Sequence, residues 1–316
     1  MSSEPARSPR ETSHYLSTQM VAKAHNPWGK SFLLAVAAGV MIGLGYVFYI
    51  TTQQGAANAD WLGEAKLLGG VAFSVGLILV VMTGADLFTS TTMTVVPLAK
   101  RQIAPARFFA HWGVVYGGNL VGALTLAAGI VAAGTYLQGG GAWGATAITT
   151  AMAKVSHTLP QAFLLAVFCN FMVCLAVWLA YVGRTLTDKI LGIVGPIALF
   201  VATGFEHSVA NMFLIPAARM ITEVADPQLW DSEAFQTVGL THADAVNTLT
   251  AQAFVIDNLI PVTLGNIVGG GLFVGLFMWF VHTKLDAGAQ GGGQLADDGE
   301  AGACAVNQGS GASISR

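Results

Sequence analysis

Charge is what this chain has least of. Only 10% of its 316 residues are Asp, Glu, Lys or Arg, while 54% are hydrophobic. A soluble surface ordinarily needs about 25% charged residues, so the composition excludes a water-soluble globule and makes the bilayer the main solvent. Cysteine is nearly absent: Cys169 and Cys174 lie on one apolar stretch at a spacing that turns them to different faces, and Cys304 sits in a Gly/Ala-rich tail, so no structural disulfide is expected. No Gly-rich lysine motif for nucleotide phosphates is present, which excludes a self-contained ATP-driven pump. The pair Glu206-His207 has no serine or cysteine partner, and no second histidine lies deep in an apolar run to complete a metal or haem site. A membrane-bound enzyme is therefore disfavoured, and no catalytic residue, metal or cofactor is expected. The paired Asn-Pro-Ala signature of water and glycerol channels is missing, since Asn26-Pro27 is the sole Asn-Pro. The first thirty residues contain no apolar core of signal length, so no cleavable signal peptide is expected and the first span acts as its own insertion signal.

What the chain does have is long apolar runs. Six candidate spans follow: Ser31 to Ile50, Leu67 to Ala99, Phe108 to Tyr136, Pro160 to Tyr181, Ile190 to Ala218 and Asn258 to His282. About 20 residues suffice to cross the hydrocarbon, so the second and fifth runs are too long for one span. Each also carries a carboxylate near its middle, in Gly84-Ala85-Asp86-Leu87-Phe88-Thr89-Ser90 and in Gly204-Phe205-Glu206-His207-Ser208-Val209-Ala210-Asn211-Met212-Phe213. A carboxylate facing lipid at mid-depth costs about 2.5 to 3.5 kcal/mol even on the lenient insertion scale. Both runs are therefore expected to be two half-helices meeting at a break that faces a polar passage or protein donors.

Placing the N-terminus in the cytoplasm leaves only Lys66, Lys154 and Arg219, of 14 basic residues, on the outside. The stretch from Ile221 to Asp257, with six acids and no Lys or Arg, reads as an external loop. Residues 1–26 are expected to be a cytoplasmic segment whose first dozen residues are unstructured, 27–284 the transmembrane domain, and 285–316 a disordered cytoplasmic tail.

The two halves echo each other in order. Phe32-Leu-Leu-Ala-Val36 recurs as Phe163-Leu-Leu-Ala-Val167, Gly84-x-Asp86 as Gly204-x-Glu206, and Gly118-Asn119-Leu-Val-Gly122 as Gly265-Asn266-Ile-Val-Gly269, at offsets of 131, 120 and 147. Each half holds three spans, an odd number, so the repeats (about 27–136 and 158–284) are expected to be inverted, with the breaks converging near mid-bilayer. The glycines at 69, 70, 76, 118, 122, 265 and 269–271 then read as close helix contacts.

The two break motifs, together with Asn258-Leu-Ile-Pro-Val-Thr-Leu-Gly-Asn-Ile-Val-Gly-Gly-Gly271, strongly resemble the signature segments of the formate-nitrite transporter family, most closely its formate channel branch. The resemblance runs from about Pro27 to Phe280. It implies an all-α, aquaporin-like protomer of six spans with the second and fifth broken. It further implies a homopentamer with a pore in each protomer, set in lipid in the bacterial cytoplasmic membrane, both termini inside. Phe73, Leu77, Phe88 and Phe200 would form apolar constrictions, with Thr89, His207 and Asn266 offering polar groups between them. Lys154 would belong to the outer vestibule, Asn170 and Asn211 would fix the broken segments, and the Gly84 to Ser90 loop would respond to the N-terminal helix. The implied partner is a small monocarboxylate or other monovalent anion, with nitrite or hydrosulfide as the alternative substrate and no nucleic acid.

Each of these residues also has a plainer reading. A lone buried histidine is more often a satisfied structural group than a working one, but His207 adjoins a carboxylate at a break. Glu206 and Asp86 are expected to anchor backbone donors, Thr89 to cap a half-helix, and the Phe73/Leu77 pair, four residues apart, would otherwise be ordinary packing. Stripping an isolated carboxylate of water costs tens of kcal/mol, whereas holding a proton on an acid of pKa ~3.9 at neutral pH costs about 4 kcal/mol. A monocarboxylate is therefore expected to pass a dry throat as the acid or close to it, helped by His207.

Overall fold

The computed structural model describes residues 5–56 and 60–285. All regular structure in them is helical: α1 Pro9–His25, α2 Trp28–Gln53, α3 Leu62–Thr83, the short α4 Phe88–Thr91 and α5 Val95–Ala99, α6 Pro105–Ala132, α7 Ala142–Val155, α8 Leu159–Val182, α9 Leu186–Ala202, α10 Ser208–Val224, the short α11 Glu233–Thr237 and α12 His242–Thr248. The last helix, α13, Ala253–Leu285, alternates α turns with wider π turns. Five helices are long and apolar enough to cross a membrane: α2, α3, α6, α8 and α13. The segment 190–218 falls on two 17-residue helices, α9 and α10, neither of which has that length alone. The expected tail, 285–316, lies outside the described residues except for Leu285.

The chain leaves helical geometry twice in the same manner. Gly84 closes α3 at φ 72°, and the N–H of Ala85 reaches back to Val80 O (3.0 Å). Gly204 follows α9 at φ 75°, and the N–H of Phe205 reaches back to Phe200 O (3.0 Å). A left-handed residue satisfies the last carbonyls of a helix while turning the chain away from its axis, and glycine adopts it without steric cost. Helix resumes at Phe88 in one case and at Ser208 in the other.

Small residues let the helices touch at backbone distance. A Cβ added to Gly122 would lie 2.0 Å from Val36 O, and one added to Gly269 would lie 2.2 Å from Val167 O. These two contacts, α6 on α2 and α13 on α8, correspond under the offsets 147 and 131. Large apolar side chains such as Leu33, Leu67, Phe109, Leu191 and Phe277 stay exposed on the outside of the bundle, a wall that suits lipid or further protein rather than water.

The N-terminal segment differs from its sequence reading. Residues 9–12 are helical, not unstructured, because Pro9 opens α1, Ser8 Oγ accepts from Glu11 N (3.3 Å) and Glu11 Oε2 accepts from Ser8 N (2.7 Å). Leu16 and Met20 of α1 are buried against Met93, Val96, Cys174 and Val177. Burying two such side chains contributes roughly 1.5 to 3 kcal/mol each, enough to dock a helix that composition alone leaves free.

Candidate functional site

The carboxylates at the two breaks do not face lipid. Asp86 and Glu206 are both fully buried. Their backbone N–H groups donate to α2 at Leu34 O (3.2 Å) and to α8 at Leu165 O (3.4 Å). One asparagine clamps each break. Asn119 Nδ2 donates to Ala35 O and Asp86 O while its Oδ1 accepts from Phe88 N; Asn266 Nδ2 donates to Ala166 O and Glu206 O while its Oδ1 accepts from Ser208 N, all between 2.8 and 3.0 Å. Asn266 thus spends its amide on the backbone and is fully buried, which corrects its expected place as a polar group offered to the passage. With both amide N–H groups engaged, Asn266 has no donor left to lend an anion.

A cation closes each loop. Lys154 Nζ donates to Gly204 O (3.0 Å), Phe205 O (3.1 Å) and Glu206 Oε1 (2.7 Å). It lies in the last turn of α7 and forms a nearly buried ion pair, 12% exposed. The other oxygen of Glu206 accepts from Asn211 Nδ2 (2.7 Å) and Asn258 Nδ2 (3.1 Å), and His157 Nε2 stands 3.6 Å from Oε1. On the opposite side Lys23, at the end of α1, donates to Ala85 O (3.2 Å) and lies 3.1 Å from Asp86 Oδ1. Sequence reasoning missed Lys23, although the offset 131 that carries Phe32 to Phe163 also carries Lys23 to Lys154.

Between the breaks the halves differ. His207 and Leu87 both precede the resuming helix, and only the first is polar. His207 Nδ1 accepts from Ala210 N (3.1 Å), so a neutral ring carries its proton on Nε2, 3.2 Å from Thr89 Oγ1. Thr89 then accepts, and its own O–H remains free to donate. Asn170 Nδ2 supports this pair from α8, donating to Thr89 O (3.0 Å) and Asn266 O (2.6 Å). The His207 ring stacks near Phe200 at 6.0 Å, and Phe200 meets Phe73 edge-on at 5.7 Å.

Two cavities approach this centre. One of about 340 Å³, termed outer after the orientation expected from the basic residues, is lined by Lys154, His157, Phe73, Phe200, His207 and Asn211, among others. An inner one of about 160 Å³ is lined by Lys23, Lys189, Arg7, Val80, Gly84 and Ser90, among others. Leu77, 1% exposed, lies on α3 between Phe73 of the outer cavity and Val80 of the inner one, which are about 10 Å apart along the helix. Leu77, Thr89 and Phe88 line neither cavity, and Phe88 packs against Trp112 and Tyr116. His207 lines the outer cavity and meets Thr89, which lines neither. His207 is not the only histidine deep in an apolar run: His111, near the start of α6, is fully buried, and α1 and α4 both pack on that helix.

The formate/nitrite transporter family model matches residues 10–280. The chain belongs to the formate/nitrite transporter family. The formate channel FocA of Escherichia coli strain K12 is 47% identical over 255 residues, covering 81% of this chain and 87% of that protein. The formate channel FocA of Haemophilus influenzae is 43% identical over 282 residues, covering 88% and 96%. Among solved structures, a pentameric formate channel with formate bound superposes with a TM-score of 0.72 at 42% identity, covering 81% of this chain and 97% of that one. A family member described as an ion channel superposes with a TM-score of 0.69 at 28% identity, covering 85% and 98%. These relatives are channels and transporters, and the all-helical bundle with its apolar spans is a membrane protein of that fold.

Proposed function

We propose that the chain conducts formate and related small monovalent anions across the bacterial cytoplasmic membrane through a pore in each protomer of a homopentamer. In this reading the protomer is an aquaporin-like unit of six spans, two inverted repeats with α3–α5 and α9–α10 as the broken second and fifth, and both termini are cytoplasmic. The observation that carries it is the contact between His207, which lines the first cavity, and Thr89, buried beyond that lining.

The electrostatics support a small anion. Lys154 raises local anion concentration at the outer cavity, but its charge is matched by Glu206, so the anion is drawn in without being trapped. The N-terminus of α10 adds a partial positive charge where His207 meets Thr89, without a resident cation. At this contact the Thr89 O–H, and the neutral imidazole Nε2–H once it exchanges Thr89 for the solute, supply donors to a carboxylate that Phe73, Phe200 and Leu77 deprive of water. Carrying the bare anion through costs far more than protonating it, so passage close to the acid form is the cheaper route. Because Nδ1 is held by a backbone donor, proton exchange is confined to Nε2.

The test is flux into proteoliposomes that contain a pH-sensitive dye. One proton entering per formate is the expected result. Formate flux with no proton movement overturns the acid-form route, and no formate flux overturns the substrate.

A further inference from the structure

Most hydrogen-bond donors around the outer cavity are already committed to the protein. Lys154 Nζ has three N–H bonds and donates to Gly204 O, Phe205 O and Glu206 Oε1. Asn211 Nδ2 gives its two to Glu206 Oε2 and Asn258 Oδ1. The hydroxyls of Thr150 and Thr203 donate one turn back, to Thr146 O and Leu199 O. His207 Nε2 is engaged with Thr89. Lys154 therefore attracts an anion through its field, but none of these side chains has an uncommitted N–H or O–H with which to hold one.

Two aromatic side chains of the lining do have one. Tyr46 and Tyr49, three residues apart on α2, meet edge-on at 5.4 Å and both line the outer cavity. Neither hydroxyl has a hydrogen-bond partner among the described residues, and neither is among the sealed side-chain atoms left unpaired, so both are open to free space. A tyrosine as enclosed as Tyr46, 6% exposed, ordinarily bonds its hydroxyl to the protein. Its ring meets Phe73 edge-on at 5.5 Å, Phe73 meets Phe200 at 5.7 Å, and Phe200 stacks near His207 at 6.0 Å, so a file of rings leads from Tyr46 to the imidazole. The remaining cationic side chains of the lining, Lys66 and His157, are open to solvent. The fold itself does not demand these hydroxyls. The offset 131 that carries Phe32 to Phe163 carries Tyr46 to Val177 and Tyr49 to Ala180, and those two line the inner cavity. Equivalent helix positions thus present two hydroxyls to one cavity and two apolar side chains to the other.

We infer that the Tyr46 and Tyr49 hydroxyls set selectivity in the outer cavity: they donate to the oxygens of a small oxyanion held there before it reaches His207, and so favour formate and nitrite over hydrosulfide. This rests on the proposed conduction of small monovalent anions. An O–H donor bonds strongly to charge carried on oxygen, whereas sulfur is a weak acceptor. Tyr46 contributes more than Tyr49, because its hydroxyl is the more enclosed and competes with less water. Both groups are neutral, so they hold the anion without adding a cation that would trap it, and the Lys154–Glu206 pair stays intact throughout.

Formate, nitrite and hydrosulfide fluxes into proteoliposomes are measured against concentration for the wild type, Tyr46→Phe, Tyr49→Phe and the double variant, with melting in detergent alongside. Phenylalanine keeps the ring contacts and removes only the oxygen. Tyr46→Phe is expected to raise the half-saturating formate and nitrite concentrations by about two- to tenfold, the worth of one hydrogen bond, and to lower the formate-to-hydrosulfide flux ratio below saturation by a similar factor, with melting as in the wild type. Tyr49→Phe shifts both in the same direction by less, and the double variant by more than either. Where Tyr46→Phe fails to assemble, Tyr49→Phe carries the test. Wild-type half-saturation and a wild-type ratio in the double variant overturn the inference and leave formate conduction standing. An equal loss of all three fluxes at unchanged half-saturation assigns the tyrosines to packing and overturns it too. A wild type that carries hydrosulfide but no formate overturns the proposed substrate and the inference together.

Discussion

His207 and Leu87 occupy equivalent positions in the two halves, each the last residue before the helix resumes, and the imidazole of one is matched by the buried isobutyl of the other. The backbone around both is clamped alike by Asn266 and Asn119. One side chain therefore breaks the correspondence, at the point where His207 of one half meets Thr89 of the other.

Two substitutions at 207 separate its jobs. His207→Asn keeps an acceptor for the Ala210 N–H, so thermal stability is expected to change by less than about 1 kcal/mol, while formate flux loses its dependence on pH. His207→Leu restores the match with Leu87 and removes the cap as well, costing about 1 kcal/mol or more in addition to flux. Melting in detergent and flux in proteoliposomes read the two effects. An unaltered pH profile in the asparagine variant removes the ring from the transport step.

Leu77 is nearly buried between the outer and inner cavities. Leu77→Ala is expected to cost about 2 to 5 kcal/mol of stability and to raise acetate and lactate flux relative to formate, because the lost isobutyl group is part of the partition. Flux ratios from competition assays with formate, nitrite and hydrosulfide included check this. A ratio unchanged from wild type means that another residue sets the width.

Gly122→Ala and Gly269→Ala each push a methyl into a backbone carbonyl 2.0 and 2.2 Å away, which only separation of the helices relieves. Loss of the pentamer on size exclusion, or a stability cost above the 1 to 3 kcal/mol usual for overpacking, is expected for both. Gly113→Ala, on α6 with open space at the added Cβ, is the control and is expected to stabilise by up to about 1 kcal/mol. Equal melting of all three would contradict the close packing.

The cap of α1 gives the start of that helix a pH dependence of its own. Hydrogen bonds from the backbone and side chain of Ser8 hold the Glu11 carboxyl below its ordinary value. A lowered carboxyl pKa stabilises the capped form above the unfolded value and loses that contribution as pH falls through the lowered one. The first turn is thus expected to keep its protection down to the ordinary carboxylate range and to fray only below it. Ser8→Ala loosens that turn throughout, read by hydrogen exchange, and fraying near neutral pH in the wild type would rule the cap out as its holder.

Much of this was legible from local pattern. Gly84 and Gly204 mark the breaks because a left-handed turn admits glycine best, and buried acids amid apolar runs announce partners. Lys23 and Asn119 were not legible, because their partner Asp86 lies dozens of residues away and only helix packing brings them to it; the burial of His111 likewise follows from packing. Asn266 was read correctly as a motif residue but given the wrong task, since nothing in sequence says whether an amide faces a cavity or a carbonyl. The first turn of α1 was misread because its apolar residues are few, though its capping box was in plain view.

By itself the sequence determined that the chain lives in a membrane, where its helices stop, and which family it resembles, since these follow from hydropathy, glycine conformation and short motifs that a chain carries locally. The tertiary structure decided which cation meets which carboxylate, that His207 reaches Thr89 across the two halves, and that His111 is buried. The pairings depend on groups 52 to 118 residues apart in the chain meeting at ångström distances, and burial and pairing are properties of that packing.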